Sequence, residues 1–144
     1  MTLKPGDMLL MECERTSVRV SRIIRSWVMV RWPWREIDPE SRTRWDGTVA
    51  IPCDPTRIEW FHTPWRLDPH VGLSVGDTCS LFIPPTRVIV RGVHQFDPPM
   101  AMGYLPRANY AVEMVEVAHQ DNENVGFVMY FDFAEPIRIT PVGG

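Results

Sequence analysis

One pattern occurs twice and narrows the possible folds more than any other feature. Leu3, Gly6, Asp7, Thr16, Val18, Val20 and Ile23 recur without a gap as Leu73, Gly76, Asp77, Thr86, Val88, Val90 and Val93. The offset is 70 residues throughout. An ungapped recurrence points to two copies of one supersecondary unit, and repeats decide architecture before local propensity does. The copies span about 3–61 and 73–140 of the 144 residues. A unit of roughly 60 residues buries little surface and is marginal alone. The join at 62–72, HTPWRLDPHVG, is short and carries Trp65 and Leu67 as packing residues. A single domain over 1–144 is therefore expected, its two halves sharing one core. Two tandem SH3-like barrels are the alternative.

The local pattern is β throughout. Stretches 8–12 and 18–24 read as strands around a turn at 14–17. Stretches 78–83 and 86–93 repeat this around Pro84-Pro85. From 27 to 36, Val28, Val30, Trp32 and Trp34 alternate with Met29 and Arg31, and Pro33 marks an edge or a bulge. Short strands at 48–51 and 57–61 complete the first copy. Strands at 110–118, 125–133 and 137–140 complete the second, with a hairpin loop at 119–124. The 14 prolines and 9 glycines are spread along the chain, as turn punctuation is in all-β proteins. The expected fold is all-β: a small antiparallel barrel with a pseudo-twofold internal repeat. Strand 110–118 allows two registers. One turns Ala111, Glu113, Val115 and Val117 inward; the other buries Val112 and Met114.

The Gly6-Asp7 and Gly76-Asp77 turns, each opening a strand pair, resemble the "GD box" of cradle-loop and double-psi barrels. The likeness is confined to the two repeated stretches. It implies a class of fold and carries no function.

Composition removes several classes of function. The net charge of −3 argues against a general binder of phosphate backbones. Cys13, Cys53 and Cys79 are scattered and odd in number, so neither a disulfide framework nor a cysteine-rich zinc site is expected. His62, His70, His94 and His119 lack metal-ligand spacing. There is no GxGxxG, P-loop, HExxH or GxSxG. Arg15 and Arg19 give the RxxxR spacing of a PilZ-like cyclic-dinucleotide site, but Asp38-Pro39-Glu40-Ser41 does not continue it as (D/N)xSxxG. No metal and no cofactor are expected. No signal peptide or membrane span is legible, and the expected setting is cytoplasmic, with reduced thiols and no membrane partner.

Three features can carry function. The copies differ most at 94–109, which the second copy inserts. A long loop with apolar side chains is often a lid or binding loop. His94 and Asp97 would form a proton-transfer pair if they met, and Tyr104 and Arg107 would orient a polar ligand. The same segment would otherwise be a proline-stiffened cover packing Phe96, Met100, Met102 and Leu105. Glu113 is the second feature: in the first register it is an inward carboxylate and a catalytic candidate. Asp132 shares that ambiguity. The third is tryptophan, with Trp27, Trp32, Trp34, Trp45, Trp60 and Trp65 all in the first half. Trp32 and Trp34 are candidate ligand-binding residues.

The expected function is binding of a small apolar molecule in a pocket covered by 94–109, with catalysis left open. The alternative is a protein-interaction module or assembly subunit that uses the Trp/Arg-rich hairpin 27–46. A third option, stacking single-stranded nucleic acid, needs Arg22, Arg25, Arg31, Arg35, Arg42 and Arg44 to gather on one face. An edge strand left open at Pro33 would also allow pairing with a second copy of the chain.

Overall fold

The computed structural model describes residues 2–34, 45–100, 108–122, 125–131 and 135–142. They form eight strands: β1 (Met8–Ile24), β2 (Trp27–Arg31), β3 (Thr48–Pro52), β4 (Arg66–Asp68), β5 (Thr78–Met100), β6 (Ala108–Glu116), β7 (Phe127–Phe131) and β8 (Arg138–Pro141). Two short 3-10 helices, Ile58–His62 and Val117–His119, are the only helical segments among the described residues. One antiparallel sheet runs β3-β2-β1-β5-β6-β7 and curls into a half-barrel. β4 pairs with β5, and β8 with β1.

The apolar pattern explains the shape of the two long strands. Leu9, Met11 and Cys13 are buried at odd positions of β1, then Val18 and Val20 at even ones. β5 does the same with Cys79, Leu81 and Ile83, then Val88 and Val90. A strand can change the parity of its buried face only through an irregularity, because side chains alternate with period two. The β1–β5 ladder breaks where the parity changes, on both sides of Cys13. Pro84 and Pro85 fall in one of these breaks, where no ladder donor is required.

This corrects an expectation. Residues 14–17 and Pro84-Pro85 are not chain reversals; β1 and β5 each run straight through. The two arms of β1 pair with β5 rather than with each other. Met8 lies opposite Ile89 and Arg19 opposite Thr78; Leu9 opposite Val88 and Val18 opposite Cys79; Cys13 opposite Ile83. Adding 70 to one member of each pairing reproduces another, and Cys13–Ile83 maps onto itself. The Gly-Asp turns follow the same rule. Gly6 N–H donates to Val90 O, and Val90 N–H to Asp7 O, while Gly76 N–H donates to Val20 O, and Val20 N–H to Asp77 O. Each turn thus seals a strand belonging to the other half of the chain.

Two further expectations change. The strand expected at 57–61 is instead the 3-10 helix Ile58–His62, entered through a turn at Pro55 in which Asp54 Oδ1 accepts from Thr56 N–H (3.0 Å) and Thr56 Oγ1 (2.6 Å). The inserted segment begins as strand: β5 continues to Met100, which pairs with Ala108 of β6. The connector is packed, with Trp65 and Leu67 buried. Met11, Leu81, Ile83, Val30, Val88 and Met114 form the centre of the core, each at most 2% exposed.

Candidate functional site

The sheet path ends at β3 and β7, and the half-barrel leaves a seam between these edges. A groove of about 240 Å³ occupies it. Val49, Ala50 and Pro52 of β3 line one side, Val128 and Tyr130 of β7 the other, with Ile137 following. Trp27, Trp32 and Trp65 also reach the lining, as do Glu59 and His62 of the 3-10 helix Ile58–His62, Thr63 just after it, and Glu135.

Local rules place these side chains. Alternation along β2 buries Val28 and Val30, and the next residue in phase is Trp32, also buried. Trp32 meets Trp34 edge-to-face at 4.9 Å and 84°, and Trp65 at 5.1 Å and 82°. Each such ring pair contributes about 0.5–1.5 kcal/mol beyond area burial. Trp65 comes from the connector, where Thr63 Oγ1 accepts its N–H at 3.2 Å. Trp32 Nε1–H donates to Glu135 Oε1 at 3.3 Å, joining positions 103 residues apart.

Charge around the groove is ordered. Arg57 bonds both oxygens of Glu59, at 3.3 and 3.4 Å, and holds its carboxyl below the ordinary range, so it is ionised at neutral pH. The Arg66 guanidinium is not part of the lining. It lies over the Trp60 ring at 4.2 Å and donates to the carbonyls of Thr63 and Trp65. Burial lowers its pKa, with the Glu116 carboxylate opposing that shift. His119 stacks edge-on against Phe61 at 4.8 Å, tying one 3-10 helix to the other.

The residues nominated from sequence fall as follows. Trp32 and Trp34 are together, joined by Trp65, and Trp32 lines the groove. His94 is exposed on β5 opposite Ala111, and Asp97 is exposed three residues further along. No hydrogen bond or ion pair joins these two among the described residues. Glu113 is exposed opposite Gly92 and Val128; Val112 and Met114 join the core as in the second register, but Ala111 and Val115 are buried as well, so β6 is covered on both faces around an exposed Glu113. Tyr104, Arg107 and Asp132 lie outside the described residues. None of the groove's described lining comes from 94–109. Arg22, Arg25 and Arg31 are exposed and do not line the groove, and Arg35, Arg42 and Arg44 lie outside the described residues. Sequence reasoning missed Glu59, His62 and Glu135. The only signal was Trp65, read as a packing residue.

A larger concavity of about 600 Å³ lies where β1 bends against β5. Three of its charged lining residues are in ion pairs: Arg138 with Glu12 at 3.3 Å, and Arg15 with Asp68 at 2.7 Å, both in solvent. No group of three or more His, Cys, Asp or Glu side chains is placed to hold a metal among the described residues. No helix of the described residues is long and apolar enough to cross a membrane. No protein-family model, curated protein or solved structure matches this chain.

Proposed function

We propose that this chain is a small-ligand-binding β-barrel protein whose site is the seam groove between β3 and β7. The observation that carries this reading is the convergence of Trp27, Trp32 and Trp65 where the sheet stops. Apolar concavities with a few convergent polar groups are the usual form of ligand sites. At about 240 Å³ the groove is smaller than the roughly 300–1,000 Å³ of sites for drug-sized molecules. Its guest is a group about the size of one ring or one branched head. Binding would rest on ring contact and exclusion of water, with Glu59, His62, Thr63 and Glu135 orienting the guest.

Two further parts of the reading have their own support. Three free cysteines fit a reducing, cytoplasmic setting. The pairing rule of 70 residues supports descent from a duplicated unit. A protein-interaction role would draw on the same seam, since β3 and β7 both present sheet edges and Val128 is 41% exposed.

The test is a fragment titration followed through the six tryptophan indole N–H signals by heteronuclear NMR. Small apolar fragments should move the signals of Trp27, Trp32 and Trp65 and leave Trp45 in place. Fragments that move none of these three would remove the groove as a ligand site.

A further inference from the structure

We infer that a second site, apart from the seam groove, binds a phosphoryl group through Arg19 and Arg31. These two residues line an open concavity of about 320 Å³ together with Val20, Ser21, Val75 and Gly76. It shares no described lining residue with the seam, so it stands or falls independently of the groove between β3 and β7.

The first observation is positive charge without a counterion. Arg15, Arg57 and Arg138 each hold a carboxylate. Arg19 and Arg31 are exposed and make no hydrogen bond or ion pair among the described residues. The described lining of the concavity contains no Asp or Glu. Asp77, which follows Gly76, aims its Oδ2 at the Ser74 N–H of its own turn, 2.8 Å away.

The second is where the two arginines stand. Val20 pairs with Val30, and one step further along the same ladder the strands reach Arg19 and Arg31. Like charges set side by side across two strands are destabilising. The architecture does not demand them. In the other half of the chain Val90 pairs with Met114, and one step further Ile89 pairs with Val115. An aliphatic pair thus serves the equivalent position, and the arginine pair belongs to the first half alone.

The third is a local irregularity. The β1–β2 register shifts between Val20 and Arg22, which makes Ser21 the extra residue. Bulges re-aim side chains, and Ser21 lines the same concavity as the two arginines. Each guanidinium presents a planar fork of N–H donors. Two forks from separate strands and a hydroxyl exceed what the two oxygens of a carboxylate use; the three terminal oxygens of a phosphoryl group match them better. Val75, 64% exposed, offers an apolar surface beside the charge.

Two sources share this chemistry: inorganic phosphate and the phosphate monoester of an organic molecule. The experiment uses the full chain and three probes, inorganic phosphate, phenyl phosphate and benzoate, with calorimetry at low and at moderate salt. At least one of the phosphates should bind about five-fold or more tightly than benzoate, and its binding should weaken as salt rises. Tighter binding of phenyl phosphate assigns the site to an ester; affinity equal to or below that of inorganic phosphate assigns it to the free anion.

Arg19→Gln and Arg31→Gln should each weaken the better phosphate about five-fold. Arg87→Gln, an exposed arginine outside the concavity, should leave it unchanged. Urea unfolding of the two site variants should show equal or higher stability, because each removes one of two like charges, so lost binding cannot be lost folding. If the double variant Arg19→Gln/Arg31→Gln binds phosphate as the natural chain does, or if Arg87→Gln weakens it equally, the anion is held by general surface charge and the inference falls. It falls also if neither phosphate binds more tightly than benzoate. The seam groove is untouched by any of these results.

Discussion

Trp32 shows how one side chain can serve packing and site geometry together. It is 6% exposed, touches two other tryptophans and bonds Glu135. Trp32→Ala should cost about 3–5 kcal/mol, the usual range for removing a buried aromatic ring. Trp32→Phe keeps most of the ring contact but loses the N–H donor, and should cost about 1–3 kcal/mol. Urea unfolding of both variants checks the order. Cys53 makes a separate statement about pH. Burial first, and the Cys79 charge second, push its thiol from an ordinary 9.0 up to about 11. The thiol is thus the form the fold favours. Its contribution is complete below pH 9, where folded and unfolded chains both hold the proton. It fades as pH rises toward about 11, because the unfolded chain releases the proton first. Stability should therefore fall between pH 9 and 11, and Cys53→Ala should flatten part of that fall in urea titrations at pH 8 and 10.

At the scale of the element, the two Gly-Asp turns and the bent strands act together. Gly6 and Gly76 have φ of 95° and 94°, and a Cβ at either would meet nothing within 4 Å. The penalty for Gly→Ala is then purely one of backbone conformation, about 1–2 kcal/mol at each site. The two variants should lose nearly equal stability, with unchanged urea m-values. Gly92 is the contrast. Its added Cβ would lie 2.7 Å from Glu113 Oε2, the far end of an exposed, flexible side chain. Gly92→Ala should displace that carboxylate and change stability by no more than about 0.5 kcal/mol. A large loss there would mean that Glu113 has a role its exposure does not suggest.

For the whole molecule, the consequence of the pairing is that neither half completes itself. β1 takes β5 as its partner, and each Gly-Asp turn bonds the returning arm of the other half. A fragment of residues 1–72 should therefore give no folded monomer. It should be unstructured when dilute, and if it folds it should do so as a concentration-dependent dimer in which a second copy of β1 replaces β5. Sedimentation with circular dichroism over a concentration series checks this, and a folded monomer would contradict the shared core. The seam is also a whole-molecule property. It exists because the path stops at β3 and β7, and the 3-10 helix Ile58–His62 and Trp65 partly fill the opening.

Sequence alone determined what is local. The all-β character, the inward face of β2, the positive-φ glycines and the 70-residue offset all follow from period-two alternation and turn chemistry. The parity change within β1 and β5 was also present in the apolar pattern, although it reads equally well as a turn. Tertiary structure decided what is distant. It set the partner of each strand arm, because the same apolar face satisfies a hairpin within one copy or a ladder between two. It exposed Glu113, because Val112 and Met114 met the core from neighbouring strands. It also brought Glu135 and Trp65 to Trp32, since only the curl of the sheet fixes which distant segments border the seam.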